Sequence, residues 1–252
     1  IQNTNDSMRQ RSYSILILAS LVLAPLLMAA PEALRVPTHE GVVYTTDQIW
    51  SENMTLGENV TISNGATLTI QAGTHLNITE DVTITIEGDL EIQGTAVEPV
   101  EIWGSWVAET SIQARWQGFL LEPGSSSDVS HAEISDSRGG FDVEASASLT
   151  IESTQLRDTI IGVWAKGSIS GDGFTCESAT TSCLRVDGTA SLAGVTSTLS
   201  AEVVHVHNGG NANIVMTTSI DDADVIVLED GSTFYGEIHA DGFTRMVRGS
   251  GS

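Results

Sequence analysis

The sequence predicts an all-β chain wound as a right-handed, single-stranded parallel β-helix, and three observations carry that prediction. First, one stretch is written twice. Asn59–Ile70 reads NVTISNGATLTI and Asp81–Ile92 reads DVTITIEGDLEI, so Val60/Val82, Thr61/Thr83, Ile62/Ile84, Leu68/Leu90, Ile70/Ile92 and Gln71/Gln93 match at one offset. Second, apolar-X-apolar triplets return every 20 to 23 residues: Phe141-Asp-Val143, Ile161-Gly-Val163, Leu184-Arg-Val186, Val204-His-Val206 and Val225-Ile-Val227. Each is followed by a second apolar position (Leu149, Ile169, Leu192, Ile214, Phe234) and a third (Leu156, Phe174, Val195 or Leu199, Ile220, Ile238). Third, Gly and Asx residues separate these segments, as at Gly171-Asp-Gly173, Asp187-Gly188, Asn208-Gly-Gly210 and Asp230-Gly231, while Val, Ile and Thr dominate without a helical apolar stripe.

Three short strands in about 21 residues fit one turn of a solenoid. A parallel sheet cannot close through tight hairpins, but a coil returns each strand beside its own previous copy. At an interstrand spacing of about 4.8 Å, about nine rungs between residues 60 and 248 give a rod of about 40 Å. The inward positions are Val60, Ile62, Leu68, Ile70, Val82, Ile84, Leu90 and Ile92, with Thr61, Thr69, Thr83 and Glu91 turned to water. A β-sandwich also uses short strands and Gly-rich turns, but it does not require the triplets to return at a fixed interval.

The elements follow in order. Residues 1–33 read as an upstream extension and a secretory signal peptide: residues 1–7 precede the first Met, Met8-Arg-Gln-Arg11 is basic, Ile15–Met28 is apolar, and Ala29, Ala30 and Ala33 are small. The alternative is a retained N-terminal anchor. The mature chain is then secreted or held at the cell surface, with no membrane span of its own. Residues 34–58 form an N-terminal cap in which Tyr44 and Trp50 cover the open end of the coil, residues 59–248 form the β-helix, and residues 249–252 are a tail or truncated end.

The formal net charge is −23, and Lys166 is the one lysine in 252 residues. Such a surface repels nucleic acid and anionic membranes. Cys176 and Cys183 enclose a short loop; in an exported chain they pair as a disulfide, two free thiols being the alternative, and no companion ligands complete a zinc site. Asn53, Asn59 and Asn77 head Asn-X-Thr triplets and are possible N-glycosylation sites.

The wording of the early rungs resembles a known group. GATLTIQAGTHLNI, then GDLEIQGTAVEPVEI, then WQGFLLEPGSSSDVSHAEISDS is similar to right-handed β-helix surface proteins, which share the architecture of pectate lyases. Gly65–Ile70, Gly88–Thr95, Pro99–Ile102 and Trp116–Leu120 carry the likeness, which covers about residues 45–165. It implies a fold and an exported location; it leaves activity open, because this scaffold serves both enzymes and inert surface proteins.

Chemistry must come from outward groups on adjacent rungs. Lyase-like sites resemble an acidic Ca²⁺ cluster beside a basic residue, and hydrolase-like sites resemble a series of which only the pair Asp221-Asp222 occurs here, expected as a solvated turn. The richest face is built by Asp142 and Glu144, Gly162 and Trp164, Arg185 and Asp187, then His205 and His207. That mix suits a sugar, with Trp164 as a platform and charged groups reaching hydroxyls, or an ordinary polar face. Asp187, His205 and His207 also have the donor types for a divalent metal. Trp103, Trp106 and Trp116 either cover an irregular rung or form a second platform. No nucleophile elbow or phosphate loop is present.

The expected function is therefore a non-catalytic extracellular or cell-surface β-helix with a structural, adhesive or glycan-contacting role. The alternative is a polysaccharide lyase or glycoside hydrolase. Expected partners are polysaccharide or other cell-surface proteins and not nucleic acid; no cofactor is required, with Ca²⁺ the one ion to consider.

Overall fold

A computed structural model describes residues 41–105 and 115–249, all within one compact unit, His39–Ser252. The expected signal peptide, Trp106 and residues 250–252 lie outside the described residues.

The chain is an all-β parallel solenoid of about nine turns, about 22 residues apart. Each turn lays one strand into a 10-stranded sheet and, in most turns, two strands into a bent 15-stranded sheet. In the first turns the three are Val60–Ile62, Thr67–Gln71 and His75–Ile78, followed by Thr83–Ile86, Asp89–Gln93 and Val100–Gly104. Every pairing is parallel, and the described residues contain no helix.

The interior is a set of side-chain columns. Leu68 lies on Leu90 and Ile70 on Ile92, and all four are buried. A second column runs Ile84, Phe119, Phe141, Val163, Leu184, Val204 and Ile226, with the Phe119 and Phe141 rings stacked at 5.2 Å. Burying each such side chain contributes about 1.5–3 kcal/mol, and the stacking direction adds contacts from both neighbouring turns.

Register departs from the sequence match in an instructive way. Val60 lies beside Ile84 and Ile62 beside Ile86, two residues beyond the expected Val82 and Ile84. The turn Ser63–Ala66 in one rung is replaced by Glu87-Gly88 in the next, so identical letters slide past each other while inward faces are kept. Gly88 is needed there: a Cβ would meet the Ala66 carbonyl oxygen at 2.1 Å.

The later triplets are also rephased. Phe141 stacks on Val163, so the core pair of that turn is Val163 and Ala165 and not Ile161 and Val163. In Asp224–Leu228 the column members are Ile226 and Leu228, and Val227 falls on the outward row beside His205. Both segments are apolar at adjacent positions, which removes the alternation that would fix their phase.

The third column changes character along the solenoid. It runs Leu76, Ile102, Ile134 and Leu156, then Cys176, Ser197 and Ser219. Of the alternatives Val195 and Leu199, Val195 is the buried one and Leu199 is 57% exposed, whereas Ile220, expected inside, is 42% exposed. Asp222, expected as a solvated turn residue, is 1% exposed. Its carboxylate accepts from Ser197 Oγ at 3.1 Å, Ser200 N at 2.7 Å and Ser219 Oγ at 2.6 Å, which makes it an internal strut of the late turns. Cys176 and Cys183 are buried and joined by a disulfide with Cα atoms 5.9 Å apart, tying the two sheets around one corner. The loop it closes is short, so its contribution to stability is modest.

The segment expected as a cap forms a turn of its own. Val42–Tyr44, Gln48–Trp50 and Met54–Leu56 pair in parallel with the next rung, placing Tyr44 over Ile62 and Trp50 over Ile70. Polar residues of this turn also close the backbone of the next: Asp47 Oδ1 accepts from Thr67 N at 2.9 Å, Asn53 Oδ1 from His75 N at 3.0 Å and Asn59 Oδ1 from Thr83 N at 2.9 Å. Asn77 is half-buried on an outward row beside Trp103.

Candidate functional site

Alternation within a strand and register between turns together fix the outward rows of the 10-stranded sheet. Asp142, Trp164, Arg185 and His205 are successive register partners. Two residues further along each strand, Glu144, Lys166, Asp187, His207 and Glu229 form the adjacent row, as their inter-turn backbone bonds show. The predicted residues Asp142, Glu144, Trp164, Arg185, Asp187, His205 and His207 are thus brought onto one face; Gly162 is buried against the Cys183 carbonyl and takes no part.

These side chains contact one another in sequence along the solenoid. Lys166 Nζ bridges Asp142 Oδ1 at 2.9 Å and Glu144 Oε1 at 2.5 Å. The Trp164 ring carries Lys166 Nζ at 4.1 Å and the Arg185 guanidinium at 4.6 Å, and its indole N–H donates to Asp187 Oδ2 at 3.2 Å. Arg185 Nε donates to Asp187 Oδ1 at 3.4 Å, and an Arg185 N–H faces His207 Nδ1 at 3.2 Å. With Nδ1 accepting, His207 Nε2–H points at Glu229 Oε2, 2.9 Å away.

His205 continues the series. Its Nδ1 lies 3.0 Å from Glu202 Oε2 and its Nε2 3.2 Å from Glu229 Oε1, so a proton on each nitrogen meets a carboxylate. Glu202 also accepts from Ser182 Oγ at 2.7 Å and from Arg248 at 2.5 Å, and Arg248 and Arg245 both hold Asp224. The result is a charge ladder from Asp142 to Arg248.

Its electrostatics follow from these contacts. Burial pushes the Asp142 carboxyl above its ordinary value despite the pull of Lys166. Burial works against the Lys166 ammonium, but hydrogen bonds to Glu144 and Asp142 outweigh it and raise its pKa. Glu202 is likewise disfavoured by burial, yet bonds from His205 and Ser182 and the nearby cations hold it below the usual range. The Glu202 hydrogen bond raises the His205 pKa, with Glu229 adding to it against burial.

Sequence reasoning missed Lys166, Glu202, Glu229, Asp224, Arg245 and Arg248. Three had a readable signal: Lys166 stands two residues after Trp164, Glu229 occupies the His207 row one turn later, and Glu202 lies three residues before His205. For a metal, His207 Nδ1 is an unsuitable donor, because the Arg185 guanidinium already faces it. Among the described residues no group of three or more His, Cys, Asp or Glu side chains could hold a metal ion.

The tryptophans divide. Trp116 is fully buried, donating Nε1–H to the Ser135 carbonyl at 3.0 Å and meeting Phe119 edge-on. Trp103 stands on an outward row of the 15-stranded sheet, edge-on to His75 at 6.0 Å. No helix among the described residues is long and apolar enough to cross a membrane.

No family model, no curated protein and no solved structure matches the chain. The class that its geometry defines is a parallel β-solenoid, closed on one face by an inter-turn charge ladder.

Proposed function

We propose that this chain is a secreted or cell-surface β-solenoid with a structural or adhesive role that includes glycan contact, and that its charge ladder braces the solenoid and performs no catalysis. The resemblance of its early rungs to right-handed β-helix surface proteins supports the location. One observation carries the functional part: the acids and bases on the richest face are spent on each other, each contacting an opposite charge or a hydrogen-bonding partner, mostly on a neighbouring turn. A general acid or base must reach a substrate proton, and these groups already share theirs. Trp164 supports the same reading, since cations lie over its ring where a sugar would stack.

The test is incubation of the purified chain with acidic and neutral polysaccharides, with and without Ca²⁺, followed by assay of new reducing ends and unsaturated products. No release is expected in either condition. Turnover of any polymer overturns the non-catalytic reading, and turnover only with Ca²⁺ would assign the ion a catalytic role.

A further inference from the structure

A second outward face has the opposite character. Strands His75–Ile78, Val100–Gly104, Ala132–Ser135 and Gln155–Arg157 lie side by side in the 15-stranded sheet. Register aligns Asn77, Trp103, Ser135 and Arg157 in one row and His75, Glu101, Glu133 and Gln155 in the next. A shallow hollow of about 330 Å³ opens between Glu101, Trp103, Glu133, Asp136 and Arg157. That is at the lower end of the range for small-ligand sites.

Most side chains here are unspent, the exception being Asp136, whose Oδ2 accepts from Ser135 Oγ at 2.9 Å. Glu133, Gln155 and Arg157 make no side-chain hydrogen bond or ion pair among the described residues, and Glu101 has one loose contact, His75 at 3.8 Å. Glu101 and Glu133 are direct register neighbours, a like-charge stack that costs stability in a sheet. Arg157 stands on the next turn, two register steps from Trp103, without closing onto either acid. On the ladder face the same residue types neutralise each other; here they are held apart around a half-exposed indole.

We propose that this hollow binds a neutral saccharide, with a pyranose ring on Trp103, hydroxyls donating to Glu101 and Glu133, and Arg157 donating to ring or hydroxyl oxygens. The chemistry selects this class. Three carboxylates against one guanidinium repel an anionic polymer; a cationic peptide would be drawn by the same net charge, so the oligolysine titration is the arm that excludes it. A sugar offers an apolar C–H face for the indole and hydroxyls that serve as both donor and acceptor. The inference deepens the glycan-contact part of the function proposed above and places it on a face other than the ladder. The two are separable, since turnover would overturn the non-catalytic reading while binding at Trp103 would stand.

The test is affinity electrophoresis of the full chain through gels containing mannan, xyloglucan, mixed-linkage glucan, xylan or polygalacturonate, with an oligolysine peptide titrated separately. Retardation by at least one neutral polymer is expected, little changed by salt because the ligand is uncharged. W103A should weaken it about tenfold, the loss of one stacking anchor. Glu133 and Arg157 are exposed, so E133Q and R157A test the site even if W103A disturbs the fold. Y235A, which removes an exposed aromatic at the far end of the chain, should leave retardation unchanged. No retardation by any neutral polymer overturns the proposal. So does binding confined to polygalacturonate or oligolysine, or retardation that survives W103A, E133Q and R157A alike.

Discussion

The early and late turns of this solenoid share a backbone and differ in what holds them. Between Val60 and Gly104 the interior rows are aliphatic and the exterior is largely Thr and acid, with few charged contacts. From Ser182 onward the third core row becomes Ser197 and Ser219 around the buried Asp222, and the exterior carries His–carboxylate and Arg–carboxylate pairs. A coil needs only that each turn lie against the last. It can meet that need with apolar columns, which respond little to pH and salt, or with polar struts, which respond to both.

Mutation should expose this difference most strongly in the early core. Leu90→Ala removes a fully buried side chain between Leu68 and Ser127, and a loss of about 2–5 kcal/mol is expected in urea unfolding. The effect should be the same at pH 5 and pH 8. A pH-dependent loss would mean that the early turns are not held by their aliphatic columns. In the late turns Asp222→Ala leaves three donors facing a void, at a cost of about 1–3 kcal/mol. If Asp222→Ala and the exposed Ile220→Ala destabilise equally, the strut has no special role.

Those two residues also show how far the sequence could be read. The stacking of Leu68 on Leu90 and Ile70 on Ile92 was legible because strict alternation and repeated wording fix both face and register. The Val60 partner was not, because turn length varies between rungs and a shift of two residues leaves the same face inward. Ile220 and Asp222 reversed expectation for one reason: hydrophobicity assigns Ile inside and Asp outside, whereas the column already held Cys176 and Ser197, and a polar column recruits a polar partner. On the ladder, alternation was enough to gather Asp142, Trp164, Arg185 and His205 into one row. That its members would neutralise each other depends on side-chain reach between turns, which spacing does not encode.

A smaller effect is expected from pH, confined to the late turns. His205 has a raised folded pKa, so its contribution is complete below about 6.5, the unfolded value, and is lost as pH rises through the folded value. Glu202 has a lowered one, so its contribution is present above about 4.5 and is lost as pH falls through the folded value. The late turns should be tightest between these limits. Hydrogen exchange, corrected for intrinsic rates, should show residues 202–249 losing protection between pH 6 and pH 8.5 by at most about 1 kcal/mol, while residues 60–104 do not change. H205Q should remove the difference. Equal loss in both regions would place the titration elsewhere.

The smallest expected effect is at the start of the ladder, where Lys166 stands between Asp142 and Glu144. All three side chains keep between 23% and 35% of their exposure, so water screens the contact and Lys166→Met should cost no more than about 1 kcal/mol. Its clearer signature is local. Burial already raises the Asp142 carboxyl, and Lys166 is what opposes that rise. Without the ammonium, Glu144 and Asp142 face each other uncompensated, and the Asp142 midpoint in a carboxyl NMR titration should move further up. At 1 M salt the Debye length falls to about 3 Å, and the part of the shift due to Glu144 should shrink while the part due to burial remains. An Asp142 midpoint unchanged by Lys166→Met would mean that the ladder begins at Trp164. Bracing of the Phe141–Val163 step would then rest on apolar stacking, as it does in the early turns.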